Sequence, residues 1–313
     1  MKRKISGVSI LTPSYNDKKK VYRLLDSLKK SDYQNFEAIV IVGGTEDTLI
    51  EGPKKYPWVK WIDSSGPSDV GQTGRYNLGF AYANPHNHIM MIDSDVVVEK
   101  NMISQLVSKL ESEKNIGVVT PMILYLNDKK WINQAGANVN LWNGKVWIGW
   151  GPKDQYLTPK KVQNSGTVML FKRDLVDKIG CFEDWYMCYF DPDYCVRAEK
   201  AGFETWYEPS AVCYHDQSKD QGVWGPRVLS RAWLLGRNRT IFMRKHGKSM
   251  IVYCLFLIPL LGYYFFQAWK YKIIPKWGEL VSGTVVGFFY PINKDIFVPI
   301  PKLLLSSGRV AKK

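Results

Sequence analysis

Acidic residues are nearly missing from the last third of this chain. Residues 221–313 hold 15 Lys and Arg against two acids, Glu279 and Asp295, whereas residues 1–220 hold 28 against 27. The net charge of +14 therefore sits on an appendage and not on the body. Its basic residues flank long apolar runs, which favours an anionic membrane surface over nucleic acid as the partner. Cysteine is also sparse: five residues, odd in number and without a C-x-x-C pair. That pattern excludes a disulfide framework and a zinc knuckle and leaves buried reduced thiols. No internal repeat or low-complexity tract occurs, which excludes solenoids and linker-like disorder. Nor does Met1-Lys-Arg-Lys4, followed directly by a strand-like run, read as a signal peptide.

What is present is a strand–helix alternation. Ile5–Leu11, Phe36–Val42, Trp58–Ile62 and Ile89–Ile92 are short apolar runs suited to buried parallel strands. Thr12-Pro-Ser-Tyr-Asn16 is read as the break after the first, with Asn16 or Asp17 capping a helix that carries Val21, Leu24, Leu25 and Leu28 on one face. Gly71-Gln-Thr-Gly-Arg75 leads into another helix through Tyr76–Ala83. This interval predicts βαβ units and an α/β fold with a Rossmann-like, mostly parallel sheet flanked by helices.

The fourth run stops at Asp93-Ser94-Asp95. Two carboxylates at i and i+2, at the carboxyl edge where open α/β sheets bind ligands, suit a hard divalent cation and the phosphates it bridges. Beyond it, Trp131, Trp142, Trp147 and Trp150 crowd a Gly- and Asn-rich stretch, a composition that suits a carbohydrate cleft. Asp191 and Asp193 open a helix ending near Ala201-Gly202, and Glu204–His215 reads as a last strand.

In order, Val8-Ser-Ile-Leu-Thr-Pro-Ser-Tyr-Asn16, Gly74-Arg-Tyr-Asn-Leu-Gly79, Asp93-Ser-Asp95, Ser165-Gly-Thr-Val-Met-Leu-Phe-Lys-Arg173, Phe190-Asp-Pro-Asp-Tyr-Cys-Val-Arg197 and Pro209-Ser-Ala-Val-Cys-Tyr-His215 resemble the family 2 inverting glycosyltransferases of the GT-A fold, in particular a rhamnosyltransferase-like branch. The resemblance implies a nucleotide-diphosphate-sugar donor, Mn²⁺ or Mg²⁺, and inversion by direct displacement. It implies Asp191 as general base, and Asp95, Asp93 and His215 about the metal. Thr12, Pro13, Tyr15, Asn16, Thr45, Asp47, Gly74, Arg75, Asn77 and Asp93 are expected on the nucleotide sugar. Arg75 is expected beside a helix start, facing phosphate. Trp147, Trp150, Ser165, Gly166 and Asp193 are expected on the acceptor. One departure is that Val42 stands where the family carries a base-reading aspartate. Thr45, Asp47, Asp17 and Asp69 are the candidate substitutes.

Residues 1–246 are expected to form the catalytic domain, with residues 1–100 as the nucleotide-binding half and 101–220 as the acceptor-binding half. Gln217–Pro226 reads as a lid or a connecting loop. An arginine near Gly236-Arg-Asn238 is expected to reach the diphosphate. Ile251–Trp269, 19 residues without formal charge, would lie in or span a membrane, making 247–313 a membrane-associating segment at the cytoplasmic face. A glycan or polyprenyl-linked acceptor follows from that placement. Rival readings are a nucleotidyltransferase, which shares the α/β half and paired aspartates, and a degenerate glycan- or membrane-binding relative.

Overall fold

The computed structural model describes residues 6–44, 47–66, 69–185, 187–217 and 226–301. Its first half runs β1 (Val8–Tyr15), α1 (Lys18–Leu28), β2 (Phe36–Gly43), α2 (Thr48–Lys55), β3 (Val59–Asp63), α3 (Gly71–Tyr82), β4 (His88–Ile92), β5 (Val96–Val98) and α4 (Met102–Ser112). There follow β6 (Ile116–Tyr125), β7 (Asp128–Gln134), β8 (Ala137–Val139), β9 (Val146–Ile148), β10 (Gly151–Pro152), β11 (Lys160–Val162), β12 (Val168–Phe171), α5 (Arg173–Ile179), α6 (Phe190–Lys200) and β13 (Glu204–His215). Helices α7 (Pro226–Leu229), α8 (Ala232–His246), α9 (Met250–Lys270) and α10 (Ile274–Phe289) close the described chain.

The sheet runs β10-β7-β6-β12-β4-β1-β2-β3. Strands β1 to β4 pair in parallel, β12 inserts antiparallel between β4 and β6, and β13 runs parallel to β6. The carboxyl ends of β1, β2, β4, β6 and β13 therefore share one edge, to which β12 brings its opposite end. Apolar side chains of β1, β2 and β4 bury on both faces, one set with α1 and α4, the other with α3, α5 and α6. Burial on both sides is why these strands read as continuous apolar runs and not as alternation.

Several boundaries differ from expectation. β1 continues through Pro13, which pairs with Ile41, so the Thr12–Tyr15 stretch is strand and not a break. Asp17 heads α1 without a side-chain cap, because its carboxylate accepts from Ser14 Oγ (2.6 Å) and from Ser94. After β13 the described chain resumes as two helices, α7 and α8, separated by Ser230 and Arg231.

Helix α8 carries α10 across it, with Gly236 against the Leu280 carbonyl and Gly283 against that of Trp233. Helix α9 rests on the body by one stripe, Tyr253, Leu257, Tyr264 and Ala268, and exposes Ile251, Leu255, Ile258, Phe266 and Trp269. It is the one described helix long and apolar enough to cross a membrane.

Candidate active site

Asp93 leaves the end of β4 and turns inward. Its Oδ1 accepts from Gln72 Nε2 and from the fully buried Tyr76 hydroxyl, both at 2.8 Å. Burial and the neighbouring Asp95 charge push its carboxyl up to about 6, against His215, Tyr76 and Gln72. Asp95 lies between two donors from distant parts of the chain. His215 Nε2 stands 3.1 Å from its Oδ1 and Lys20 Nζ 3.5 Å from its Oδ2. Burial works against its charge, yet His215 and Lys20 outweigh that and hold the carboxyl below its ordinary value. The imidazole is oriented from behind by Asn133 Oδ1, 3.1 Å from Nδ1. Further ties fix the turn, since Asp216 N donates to the Asp95 carbonyl and Arg23 binds the Asp216 carboxylate at 2.6 Å.

Asp191 enters from the other side, in the first turn of α6. Burial pushes its carboxyl up to about 7; the nearby Asp93 charge adds to this, while its own amide and an Asn164 hydrogen bond oppose it. A β-carbon on Gly166 would stand 3.0 Å from Asp191 Oδ2, so the glycine makes room for the carboxylate. Burial and the charges of Asp93, Asp95 and Asp191 together raise the Tyr76 hydroxyl well above its usual range. Asp93 bonds that phenol directly, while Asp95, on the same β4–β5 turn, and Asp191, on α6, act on it through their charge alone.

Among the described residues no group of three or more His, Cys, Asp or Glu side chains has metal-holding geometry. Asp95 and His215 face each other, while Asp93 is turned onto Gln72 and Tyr76. Two protein ligands nevertheless fit Mg²⁺ or Mn²⁺, which bind through one or two protein groups and complete their shell with phosphate oxygens and water. The donor set and its hydrogen-bonded second layer are chemically apt for such a cation.

At the nucleotide end, Tyr15 and Asn16 stand exposed at the rim. The Arg75 guanidinium lies 4.9 Å from the Tyr15 ring, paired with Asp69 at 2.5 Å and Ser64 Oγ at 3.2 Å, against Gly43. This corrects the helix-start expectation. Helix α3 begins at Gly71, so Gly74 and Arg75 lie within it, and the guanidinium is buried in an ion pair. Thr12 and Pro13 are interior to β1, not in a loop. Both amide atoms of Asn77 are taken by the Phe182 backbone, which makes it a clasp between α3 and the loop before α6. Asp47 is exposed ahead of α2, and Thr45 lies outside the described residues. Val42 is packed in the core.

On the expected acceptor side, Trp147 and Trp150 are exposed, the second edge-on to Trp131 and donating to Tyr125 Oη at 3.3 Å. Ser165 is not available there, being fully buried with its hydroxyl on Thr120. Asp193 is likewise corrected. It is fully buried and bound by Arg197 Nε (2.7 Å), His246 Nε2 (2.8 Å) and Lys245 Nζ (3.2 Å). Burial opposes that charge, but Arg197, His246 and Lys245 hold the carboxyl far below the usual carboxylate range.

The C-terminal arginines also differ from expectation. Arg237 donates to the Trp185 carbonyl, Arg239 to Tyr189 Oη, and Arg244 to the Gly287 and Tyr290 carbonyls. These three fasten the loop before α6 and the end of α10. Residues 218–225 of the expected lid lie outside the described residues. Sequence reasoning missed Lys20, Gln72, Tyr76, Asn133 and Asn164. Only Gln72 and Tyr76 sat in quoted stretches, and the rest are polar residues whose partners are distant in the chain.

Comparison with known proteins agrees with this architecture. The solved structures it resembles include a mannosyltransferase of Pyrobaculum calidifontis in complex with GDP-Man and Mn²⁺ (TM-score 0.55, 16% identity, covering 89% of this chain and 75% of that one). GalNAc-T7 with UDP, GalNAc and Mn²⁺ is another (TM-score 0.59, 12% identity, 77% and 48% covered). At these identities the likeness speaks for the GT-A fold. Poly-beta-1,6-N-acetyl-D-glucosamine synthase of Staphylococcus epidermidis is 24% identical over 237 residues, 72% of this chain and 54% of the relative. The Staphylococcus aureus synthase is 23% identical over 235 residues, so the chain spans about half the length of the curated relatives it matches. A family profile described as glycosyltransferase like family 2 matches residues 6–234, the whole sheet and every carboxylate of the site, and the chain belongs to that family.

Proposed function

We propose that this chain moves a sugar, with inversion, from a nucleoside-diphosphate donor to a hydroxyl of an envelope or lipid-linked glycan, with residues 1–246 as the catalytic unit. The observation that carries the reading is the carboxylate turn at the end of β4, with Asp93 on Tyr76 and Asp95 on His215, faced from α6 by Asp191 over Gly166. Burial and the Asp93 charge push the Asp191 carboxyl up to about 7. A base poised near neutral pH takes a proton efficiently while remaining largely available as carboxylate. Asp191 would accept the proton of the acceptor hydroxyl as that oxygen attacks the anomeric carbon, and the diphosphate leaves on the opposite face. Gly166 and Asn164 fix the carboxylate for this step.

Asp95 and His215 would hold Mn²⁺ or Mg²⁺, with Asp93 at the ribose or a metal-bound water. When bound, such a cation neutralises charge developing on the leaving diphosphate. Tyr15 offers a face to the base, and the partly exposed Asp69 carboxylate, held by Arg75, offers an acceptor where Val42 offers none. Relatives named for poly-N-acetylglucosamine synthesis and for GDP-mannose support an envelope-glycan acceptor and a nucleotide-sugar donor. The ordered motifs favour the rhamnosyltransferase-like branch.

Residues 247–313 are read as lying in the interface of the cytoplasmic leaflet. The α9 stripe packs on the body at both ends of the helix, Tyr253 and Leu257 on one cluster and Tyr264 and Ala268 on another, and its opposite apolar face is open. A span along the axis of α9 would drag α8, with Arg237, Arg239 and Arg244, into hydrocarbon, which is expensive. Exposed Lys248, Lys270 and Lys272 suit anionic headgroups. The testing experiment is a thermal-shift series with UDP, GDP and dTDP, with and without Mn²⁺. Stabilisation by one diphosphate, enhanced by Mn²⁺, is the expected result, and none by any would overturn the reading.

A further inference from the structure

Helix α1 begins with Lys18, Lys19 and Lys20 and has no acidic residue in its first turn. Positive side chains at the positive end of a helix are unfavourable. Asp17, which heads the helix, spends its carboxylate on Ser14 and Ser94. The lysines are not equivalent. Lys18 pairs with Glu51 of α2 at 3.0 Å, which removes it from the site. Lys20 reaches the other way, to Asp95 Oδ2, at 3.5 Å and with 43% of its side chain exposed. One turn later, Arg23 is committed to Asp216 at 2.6 Å.

The backbone bearing Lys20 is pinned to the carboxylate turn at two points. Asp17 holds Ser94 between the two aspartates, and Ser27 Oγ accepts from Val98 N on β5. These ties fix the backbone from which Lys20 reaches the carboxylate turn, and its half-exposed side chain keeps the ammonium within 3.5 Å of Asp95 Oδ2. It stands at Oδ2 of Asp95, the oxygen that His215 does not take, where an anion bridged to Asp95 would meet it.

We propose that Lys20 is a diphosphate-binding residue of this site, donating to a phosphate oxygen of the nucleoside diphosphate and stabilising it as it departs. The assignment rests on the glycosyltransferase reading of the site. Lys20 leaves Asp95 Oδ2 as the metal and diphosphate arrive, exchanging a long ion pair for charge-assisted hydrogen bonds to phosphate. It adds to the charge neutralisation supplied at Asp95 and His215 and contributes nothing to a ligand without phosphate.

Calorimetric titration of UDP and GDP, and of uridine and guanosine, into the full chain with Mn²⁺ and with EDTA tests this. Lys20→Met should weaken the preferred diphosphate about tenfold in both conditions, as the loss of one charged hydrogen bond implies. It should leave the nucleoside unchanged, and Lys20→Arg should recover most of the loss. Equal weakening of nucleoside and diphosphate would overturn the proposal, as would unchanged diphosphate affinity with tighter Mn²⁺, because Lys20 would then be only a placeholder for the cation. If Lys20→Met binds like wild type while Asp95→Asn does not bind, Lys20 falls and the site stands. Absence of diphosphate binding by the wild type would remove both.

Discussion

The Asp191 carboxylate rests over the α-carbon of Gly166, so close that a methyl group there would stand 3.0 Å from Oδ2. The two residues sit on α6 and at the approach to β12, and this contact sets how far the proposed base protrudes. Gly166→Ala is therefore expected to move the carboxylate by a few tenths of an ångström and lower kcat about 10–100-fold. Its melting temperature should stay close to wild type. Equal kcat at equal stability would show that the contact does not position the base.

Asp191→Asn should lower kcat about 10²–10⁴-fold, the range for a positioned base. The same change should stabilise the protein at high pH. A carboxyl raised from 3.8 to about 7 gives stability that is present in acid and lost as pH rises through that interval. The variant should thus unfold at a higher temperature than wild type at pH 8, by an amount reflecting roughly 1–4 kcal/mol, with the advantage gone near pH 4. Scanning calorimetry at the two pH values checks the sign.

The pH–rate profile carries the same signature. With the base at about 7 in the free protein, kcat/KM should rise about tenfold per pH unit below neutrality and level off above it. A bound cation near Asp93 and Asp95 would move the bend to lower pH by favouring the carboxylate. A profile flat from pH 5 to 9 would remove Asp191 from the proton-transfer role.

Asp193 titrates in the opposite sense. Its carboxyl is depressed by Arg197, His246 and Lys245, so its contribution to stability is present above pH 4 and lost as pH falls below. Asp193→Asn leaves Arg197 and His246 buried without their anion, while Lys245 keeps Glu183, and should cost about 3–5 kcal/mol in denaturant unfolding. A surface role would cost a few tenths. Reduced activity of this variant should track its unfolded fraction, not a change of pH profile.

Phe266→Asp with Ile258→Asp places charge on the open face of α9 and should abolish sedimentation with anionic vesicles. Turnover with a water-soluble acceptor should be unaffected. Unchanged sedimentation would mean that another surface meets the membrane.

The sequence by itself determined the α/β class, the four parallel strands of the first half with α1 and α3, the last strand, the Asp93-Ser-Asp95 turn at a strand end and the helix opening at Asp191. Each is written in contiguous residues, as an apolar run, a period or a spacing. The short strands β5, β7, β10 and β11 emerged only in the structure. Charge bookkeeping likewise separated the basic third from the balanced body. Only the tertiary structure decided which polar side chains belong to the site. Asp191 and Asp193 are two residues apart in one helix, yet one faces the carboxylate cluster and the other is buried against α8. Asn77, Ser165 and Thr12 look like ligand groups in the chain and are consumed by the fold, whereas Lys20, Asn133 and Asn164 look ordinary and line the site. Even the basic third is divided, since Arg239, Arg244 and Lys245 turn inward while Lys248 and Lys270 do not. Hydrogen-bond and ion-pair partners lie on distant segments, and burial, which sets whether a charge is stabilised or raised in pKa, exists only once those segments have packed.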